Sequence, residues 1–145
     1  MKIRSWMYVS DSLIAPEPHD AVLDEMVALA RAKNERLDVT GCLLSAGGRF
    51  AQIIEGPPDA IADLRRSIQA DPRHTRVTTV DVEQTETRRF TDWSLAYAGP
   101  SFFVEKYTAR ARSQTGKAKE QPIEDLLLLM QQLSLWRDII APKLH

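Results

Sequence analysis

The sequence predicts an α+β domain of ferredoxin-like topology: a β-α-β-β-α-β-β sheet with two helices on one face, followed by a C-terminal helical extension. Three observations lead there. Short segments with strand-like apolar content fall at 3–9, 39–44, 50–54, 77–82 and 90–97. Between the first and second of these, and again between the third and fourth, apolar residues recur at helical spacing. Beyond Gly99 the pattern becomes wholly helical.

Taken in order, Ile3 to Val9 alternates, which sets Trp6 and Tyr8 on one face of a strand and Met7 and Val9 on the other. After Pro16 and Pro18, Val22, Met26 and Leu29 recur beside Leu23, Val27 and Ala30; this is a helix ending near Asn34, and its apolar side needs a sheet to cover. Val39 to Leu44 and Phe50 to Ile54 are strands joined by Ser45-Ala46-Gly47-Gly48. The glycines supply the positive φ angles of a hairpin, so these two strands should pair antiparallel. Pro57-Pro58-Asp59 opens the second helix, because proline in a first turn gives up no intrahelical hydrogen bond. Ile61, Leu64 and Ile68 share its inner face, and Pro72 stops it. Val77 to Val82 and Phe90 to Tyr97 complete an antiparallel-rich sheet. A helical segment near 102–112, a polar link over 113–121 and a long helix from Ile123 to about Ile140 form the extension, dividing the chain into 1–98 and 99–145.

A chain of 145 residues is long enough to bury one core without disulfides or metal. With 43% apolar residues, 27% charged residues and a formal charge of -1, it has no general field for nucleic acid. Lys106, Arg110, Arg112, Lys117 and Lys119 make one local basic stretch, read as a solvated connector. The single cysteine, Cys42, excludes an internal disulfide and sits in an apolar run as a buried thiol. The start lacks a signal-peptide apolar core, and the longest apolar run, Leu126 to Met130, is too short to span a membrane. A cytoplasmic setting is expected, with neither membrane nor nucleic acid as partner.

Gln52 attracts notice because alternation places an uncharged amide between Phe50 and Ile54 on one strand face. A buried amide must find partners for both its acceptor and its donors. Its bland counterpart is an edge-strand glutamine facing solvent. Tyr8 has the bland reading of core filler, Asn34 of a left-handed helix cap, Trp93 of a core aromatic. His74 would be a surface loop residue, and Arg88-Arg89 a solvated pair. Metal and nucleophile chemistry fail on inventory. His19, His74 and His145 have no matching carboxylate or thiol spacing, and no G-x-S-x-G elbow, Walker loop or G-x-G-x-x-G turn occurs.

In combination the positions say more. Tyr8-Val9-Ser10, Asn34 followed by Val39-Thr40-Gly41, Phe50-Ala51-Gln52-Ile53-Ile54-Glu55-Gly56, Asp71-Pro72-Arg73-His74 and Arg88-Arg89-Phe90-Thr91-Asp92-Trp93-Ser94 stand in an order and spacing that resembles the BLUF family of blue-light sensors, over roughly residues 2–98.

The resemblance implies a photoreceptor, without net substrate turnover, that holds FAD non-covalently between the two helices beneath the sheet. By position, Met26 and Ile68 would flank the flavin ring and Asn34 would bond its C4 carbonyl and N3 edge. Asp71 and His74 would stand near the ribityl chain or ring edge, with Arg31 and Lys33 on the phosphate or adenine side. Tyr8 and Gln52 match the photoactive pair, in which the phenol gives up an electron and proton and the amide redirects its hydrogen bond. Trp93 and Leu95 match the signal-relay positions. The chain departs from the family twice: Leu95 stands where many members have methionine, and Ser67 where several have a longer basic residue. Two rival readings remain, a ferredoxin-like interaction module without flavin and a small cofactor-dependent oxidoreductase.

The last helix carries a stripe of Ile123, Leu126, Leu127, Met130, Leu133 and Ile140, widened by Leu128, Leu129 and Leu135. Apolar residues around so much of a helix call for cover on two sides. A homo-oligomer, most simply a two-fold dimer with Leu128 or Leu129 in or near the contact, is therefore expected, with an unidentified downstream protein as the other partner.

Overall fold

The computed structural model describes residues 2–14, 19–98 and 102–140, without the side chains of 19–21, 94–98, 102–103 and 136–140. Its elements are β1 (Ile3–Ser12), α1 (His19–Arg36), β2 (Thr40–Ala46), β3 (Arg49–Gly56), α2 (Pro58–Ala70), β4 (His74–Thr85), β5 (Trp93–Ala98), α3 (Phe102–Ser113), a 3-10 turn (Gly116–Lys119) and α4 (Glu120–Ile140). The order expected from the sequence is the order observed. The sheet runs β4-β1-β3-β2-β5, antiparallel except for the parallel pairing of β5 with β2 at one edge.

Local chemistry accounts for the turns. Gly47 and Gly48 take φ of +59° and +76°, so the β2–β3 hairpin closes on a two-residue turn with both central residues left-handed. The loop is thus shorter than the four residues read from the sequence. Helix α1 continues two residues past Asn34. Asp38, at φ +58°, is the left-handed residue that ends it, the Asp38 N–H reaching the Glu35 carbonyl and the Val39 N–H the Asn34 carbonyl at 2.8 Å. Asn34 therefore lies inside the helix, and the bland reading of it as the cap is corrected. Strand β4 reaches further than 77–82, and β5 begins at Trp93 rather than Phe90, because the residues from Trp93 on pair with β2 while Arg88, Arg89 and Phe90 are tied to Glu55.

The pleat separates two cores as the alternation required. On one face Trp6, Tyr8 and Ile54 pack against Ile61 and Leu64 of α2, while Leu43, Phe50 and Trp93 pack against Leu23 and Met26 of α1. On the other face Met7, Val9, Cys42, Leu44, Ala51 and Ile53 meet Val104, Ala111, Leu126, Leu127 and Met130 of α3 and α4. Each large apolar side chain fully buried there contributes roughly 1.5–3 kcal/mol. Arg112 fastens α3 to β1 through Asp11 at 2.9 Å. The C-terminal helices thus supply the second cover of the sheet. Leu129 packs inward against that core, leaving Leu128 (54% exposed) and Leu135 (62%) on the surface.

Candidate functional site

Between α1, α2 and the sheet lies a cavity of about 200 Å³, lined by Tyr8, Met26, Lys33, Asn34, Gln52, Ile68, Asp71, His74 and Trp93, among others. The lining comes from both helices, from all five strands and from the turn between α2 and β4 that carries Asp71. Amphipathic packing positions them: each helix turns one stripe to the sheet, and the sheet turns Tyr8, Gln52 and Trp93 to the helices.

Tyr8 and Gln52 stand directly opposite each other across β1 and β3. Cross-strand neighbours on one face approach closely enough for their side chains to meet, and the Tyr8 hydroxyl donates to Gln52 Oε1 at 2.5 Å. Gln52 is 7% exposed; the edge-strand, solvent-facing reading of it is wrong, because β3 is flanked by β1 and β2. Burial, reinforced by the charge of Asp71, pushes the Tyr8 phenol well above its ordinary pKa. It therefore stays protonated throughout the neutral range.

His74 is buried rather than a surface loop residue. Its Nε2 lies 2.6 Å from the Ile68 carbonyl, which can only accept, so Nε2 carries a proton, and Nδ1 shares a hydrogen bond with the Ser10 hydroxyl at 2.8 Å. The ring meets Tyr8 and Phe50 edge-on. Asp71 holds Arg73 through both carboxylate oxygens, and the Arg73 hydrogen bonds keep the Asp71 carboxyl below its usual range.

Trp93 is 2% exposed and is one of the residues that line the cavity. The indole Nε1 is buried with no protein partner, an orphan donor that an acceptor in the cavity would satisfy. Leu95 lies opposite Leu43 in the parallel β2–β5 pairing, but its side chain lies outside the described residues.

Arg31 departs from the expected grouping. It does not line this cavity; its guanidinium donates to the Trp93 carbonyl at 2.9 Å and borders a second groove beside α4. Arg88 and Arg89 are not a solvated pair. Arg88 bonds Thr40 Oγ1 and the carbonyls of Glu55 and Asp38, and Arg89 pairs with Glu55 and Glu83. The fully buried Glu55 carboxylate in turn accepts the backbone N–H groups of Arg89 and Phe90, fixing the segment that leads into Trp93. Sequence reasoning missed Leu29, Leu43 and Arg73 as lining residues. Arg73 was within reach, since it sits inside the quoted Asp71 to His74 segment.

A sheet-and-helix sandwich with an amide, a phenol and a buried indole around one largely apolar cleft defines a domain built to hold a small ligand. The family described as "BLUF: Sensors of blue-light using FAD" matches residues 3–96, and the chain belongs to it. FAD is thus its cofactor. The donor set fits that group, since Asn34 and Gln52 offer both donors and acceptors to a flavin edge and Met26 and Ile68 offer apolar flanks.

Among curated relatives, the photoactivated adenylate cyclase subunit beta of Euglena gracilis is 39% identical over 77 residues, covering 52% of this chain and 9% of that protein. The blue light- and temperature-regulated antirepressor BluF of Escherichia coli K12 is 38% identical over 68 residues, 47% of this chain and 17% of the relative. The chain thus spans a small part of these relatives' length. Among solved structures, the BLUF protein BlrB in its dark state superposes with a TM-score of 0.69 at 30% identity, covering 90% of this chain and 96% of that one. The photo-activated state of BlsA shares the fold at a TM-score of 0.70, 21% identity and coverage of 88% and 96%. No helix among the described residues is long and apolar enough to cross a membrane.

Proposed function

We propose that the chain acts as a blue-light switch in which Tyr8 and Gln52 convert absorption by FAD into a changed hydrogen-bond pattern, with no net turnover of substrate. The observation that carries this reading is the 2.5 Å bond from the Tyr8 hydroxyl to Gln52 Oε1 at the cavity wall. Bound FAD supplies a blue-absorbing group that becomes a strong electron acceptor in the light. Tyr8 gives up one electron and, through its bond to Gln52, its proton, so that no net charge is stranded in a dry site. Recombination returns both. Gln52 can exchange donor and acceptor by rotation or tautomerisation of its amide without changing charge, and so redirects a hydrogen bond.

Met26 and Ile68 flank the ring, Asn34 holds its polar edge, Asp71 and His74 stand near the ribityl side, and Lys33 approaches the phosphate or adenine side. Arg31 reaches that side only by leaving the Trp93 carbonyl. Trp93 and Leu95 carry the change into β5, residues 1–98 forming the sensor and 99–145 the extension that passes the signal on, in a cytoplasmic setting. The named role of the Escherichia coli relative as an antirepressor supports a separate protein as recipient.

The test is an absorption difference spectrum before and after blue light, taken from pH 7 to pH 11. A reversible red shift that recovers in the dark without added reductant is expected, its amplitude flat through pH 10, where an ordinary phenol is half ionised. With the folded pKa raised, the stability linked to the Tyr8 proton is intact below about pH 10 and is lost as pH climbs toward the folded value. An amplitude halved at pH 10, or recovery only on adding reductant, refutes the reading.

A homo-oligomer belongs to the same proposal. Leu128 and Leu135 are two turns apart and exposed on α4, whereas the inward Leu129 does not serve. Light scattering should give a dimer that Leu128→Glu converts to a monomer; a monomeric wild type refutes it.

A further inference from the structure

The rings of Trp6 and Tyr8 lie 4.7 Å apart, tilted by 31°. Trp6 is fully buried and does not line the cavity, so it stands behind Tyr8 as seen from the cofactor. Indoles and phenols lose electrons with comparable ease, and contact at this distance allows fast exchange. Once Tyr8 is oxidised, Trp6 is therefore a competing donor. If one electron passed from Trp6 to oxidised Tyr8, the vacancy would move one ring further from the cofactor and recombination would slow.

Two features around Trp6 oppose that loss. The Arg65 guanidinium sits 5.2 Å from the centre of the Trp6 ring. A cation over a neutral indole is attractive, but over an indole that has lost an electron it is repulsive. At 5.2 Å in a part-buried site that repulsion disfavours the oxidised ring by roughly a hundredfold. The second feature concerns the proton. Oxidised indole needs a base for its Nε1 proton, and Trp6 Nε1 donates to Thr79 Oγ1 at 2.9 Å, an oxygen that also accepts from Arg65 Nη2 at 3.1 Å. A hydroxyl with both lone pairs engaged takes no further proton. Tyr8, by contrast, has Gln52 Oε1 directly on its hydroxyl.

We infer that Arg65 is a positioning residue for the photochemistry: held by Thr79 over Trp6, it keeps the oxidising vacancy on Tyr8 and prevents Trp6 from filling it. This rests on Tyr8 as the light-driven donor, the oxidant being the excited flavin. One electron leaves Tyr8 for the excited flavin, its proton leaves along the hydrogen bond through Gln52 to the same acceptor so that no charge is stranded, and both return to Tyr8; Trp6 is neither oxidised nor deprotonated. Arg65 touches neither the cavity nor the cofactor's lining residues by hydrogen bond, so its effect is exerted through Trp6.

The test uses the FAD-loaded protein and the variants Arg65→Met, Arg65→Lys, Trp6→Phe and Arg65→Met/Trp6→Phe, each checked for bound FAD. Flash absorption should show a long-lived tryptophanyl signal in Arg65→Met alone, with a several-fold lower yield of the red-shifted form. Arg65→Lys should retain most of the yield, since the cation remains, and the double variant should recover it, since the competing donor is gone. In flavin-free protein, Arg65→Met should shift the tryptophan emission, and that shift should vanish in the Trp6→Phe background. Arg65→Met with wild-type yield and no tryptophanyl signal overturns the inference, as does a double variant no better than the single one. Tyr8→Phe with an ordinary red shift instead removes the underlying assignment of Tyr8, whatever Arg65 does.

Discussion

Gln52→Leu is expected to abolish the light-induced red shift completely while the protein still folds and still holds FAD. The substitution removes the only side chain seen to accept the Tyr8 hydroxyl among the described residues, and with it the one group at the cavity wall whose donor and acceptor can trade places beside that phenol. Leucine roughly preserves the volume, so the packing of Phe50 and Ile54 on either side survives. A stability cost remains, because the buried phenol loses its acceptor; this is worth about 1–3 kcal/mol. FAD content should change little, since the contacts proposed for Met26, Asn34 and Ile68 are untouched. The measurement is a difference spectrum at matched FAD occupancy together with a melting curve. A normal red shift in this variant means that the switch lies elsewhere, and a colourless protein means that Gln52 is needed for binding instead.

Much of this arrangement was legible in the sequence, for a physical reason. Strand periodicity is two, so one apolar run suffices to place Trp6 and Tyr8 on one face and Met7 and Val9 on the other, and the two cores separate along that division. Gln52 stood out by the same rule, as an amide at an inward position. Other features were hidden, most of them because they depend on contacts distant in sequence. Asn34 reads as a cap because asparagine favours left-handed backbone, but Asp38 took that position once the chain had to turn into β2. Arg88 and Arg89 read as solvated, but Glu55, more than thirty residues earlier, anchors the backbone beside them. Arg31 was assigned to the ligand by its place on α1, although its long side chain reaches sideways to the Trp93 carbonyl. The covering of the sheet's second face by α4 was likewise undecidable from its leucines, since a partner and a sheet bury them equally well.

Gly41→Ala should cost more than any other single methyl group added to the chain. A Cβ at Gly41 would lie 2.0 Å from the Ile53 carbonyl oxygen, with the carbonyl carbon and the Ile54 Cα close behind. Those are backbone atoms of β3, which have no alternative rotamer, so the strands themselves must part. Gly41 is directly opposite Ile54 in the β2–β3 ladder and opposite Trp93 in the β2–β5 pairing, and its N–H donates to the Asp92 carbonyl at 3.1 Å. Forcing β2 from β3 therefore strains the mounting of Gln52 on one side and of Trp93 on the other. Overpacking of this kind, against unyielding neighbours, costs about 3 kcal/mol or more. For a domain of this size that lowers Tm by on the order of 10 °C. The expected result is a protein that expresses poorly or melts far below wild type, and whose folded fraction has a reduced red shift. Gly48→Ala provides the contrast: nothing lies within 4 Å of a Cβ there, so only its left-handed φ of +76° is penalised, at about 1 kcal/mol. Equal melting temperatures for the two variants would show that β2 and β3 are not in the close contact on which the site is built.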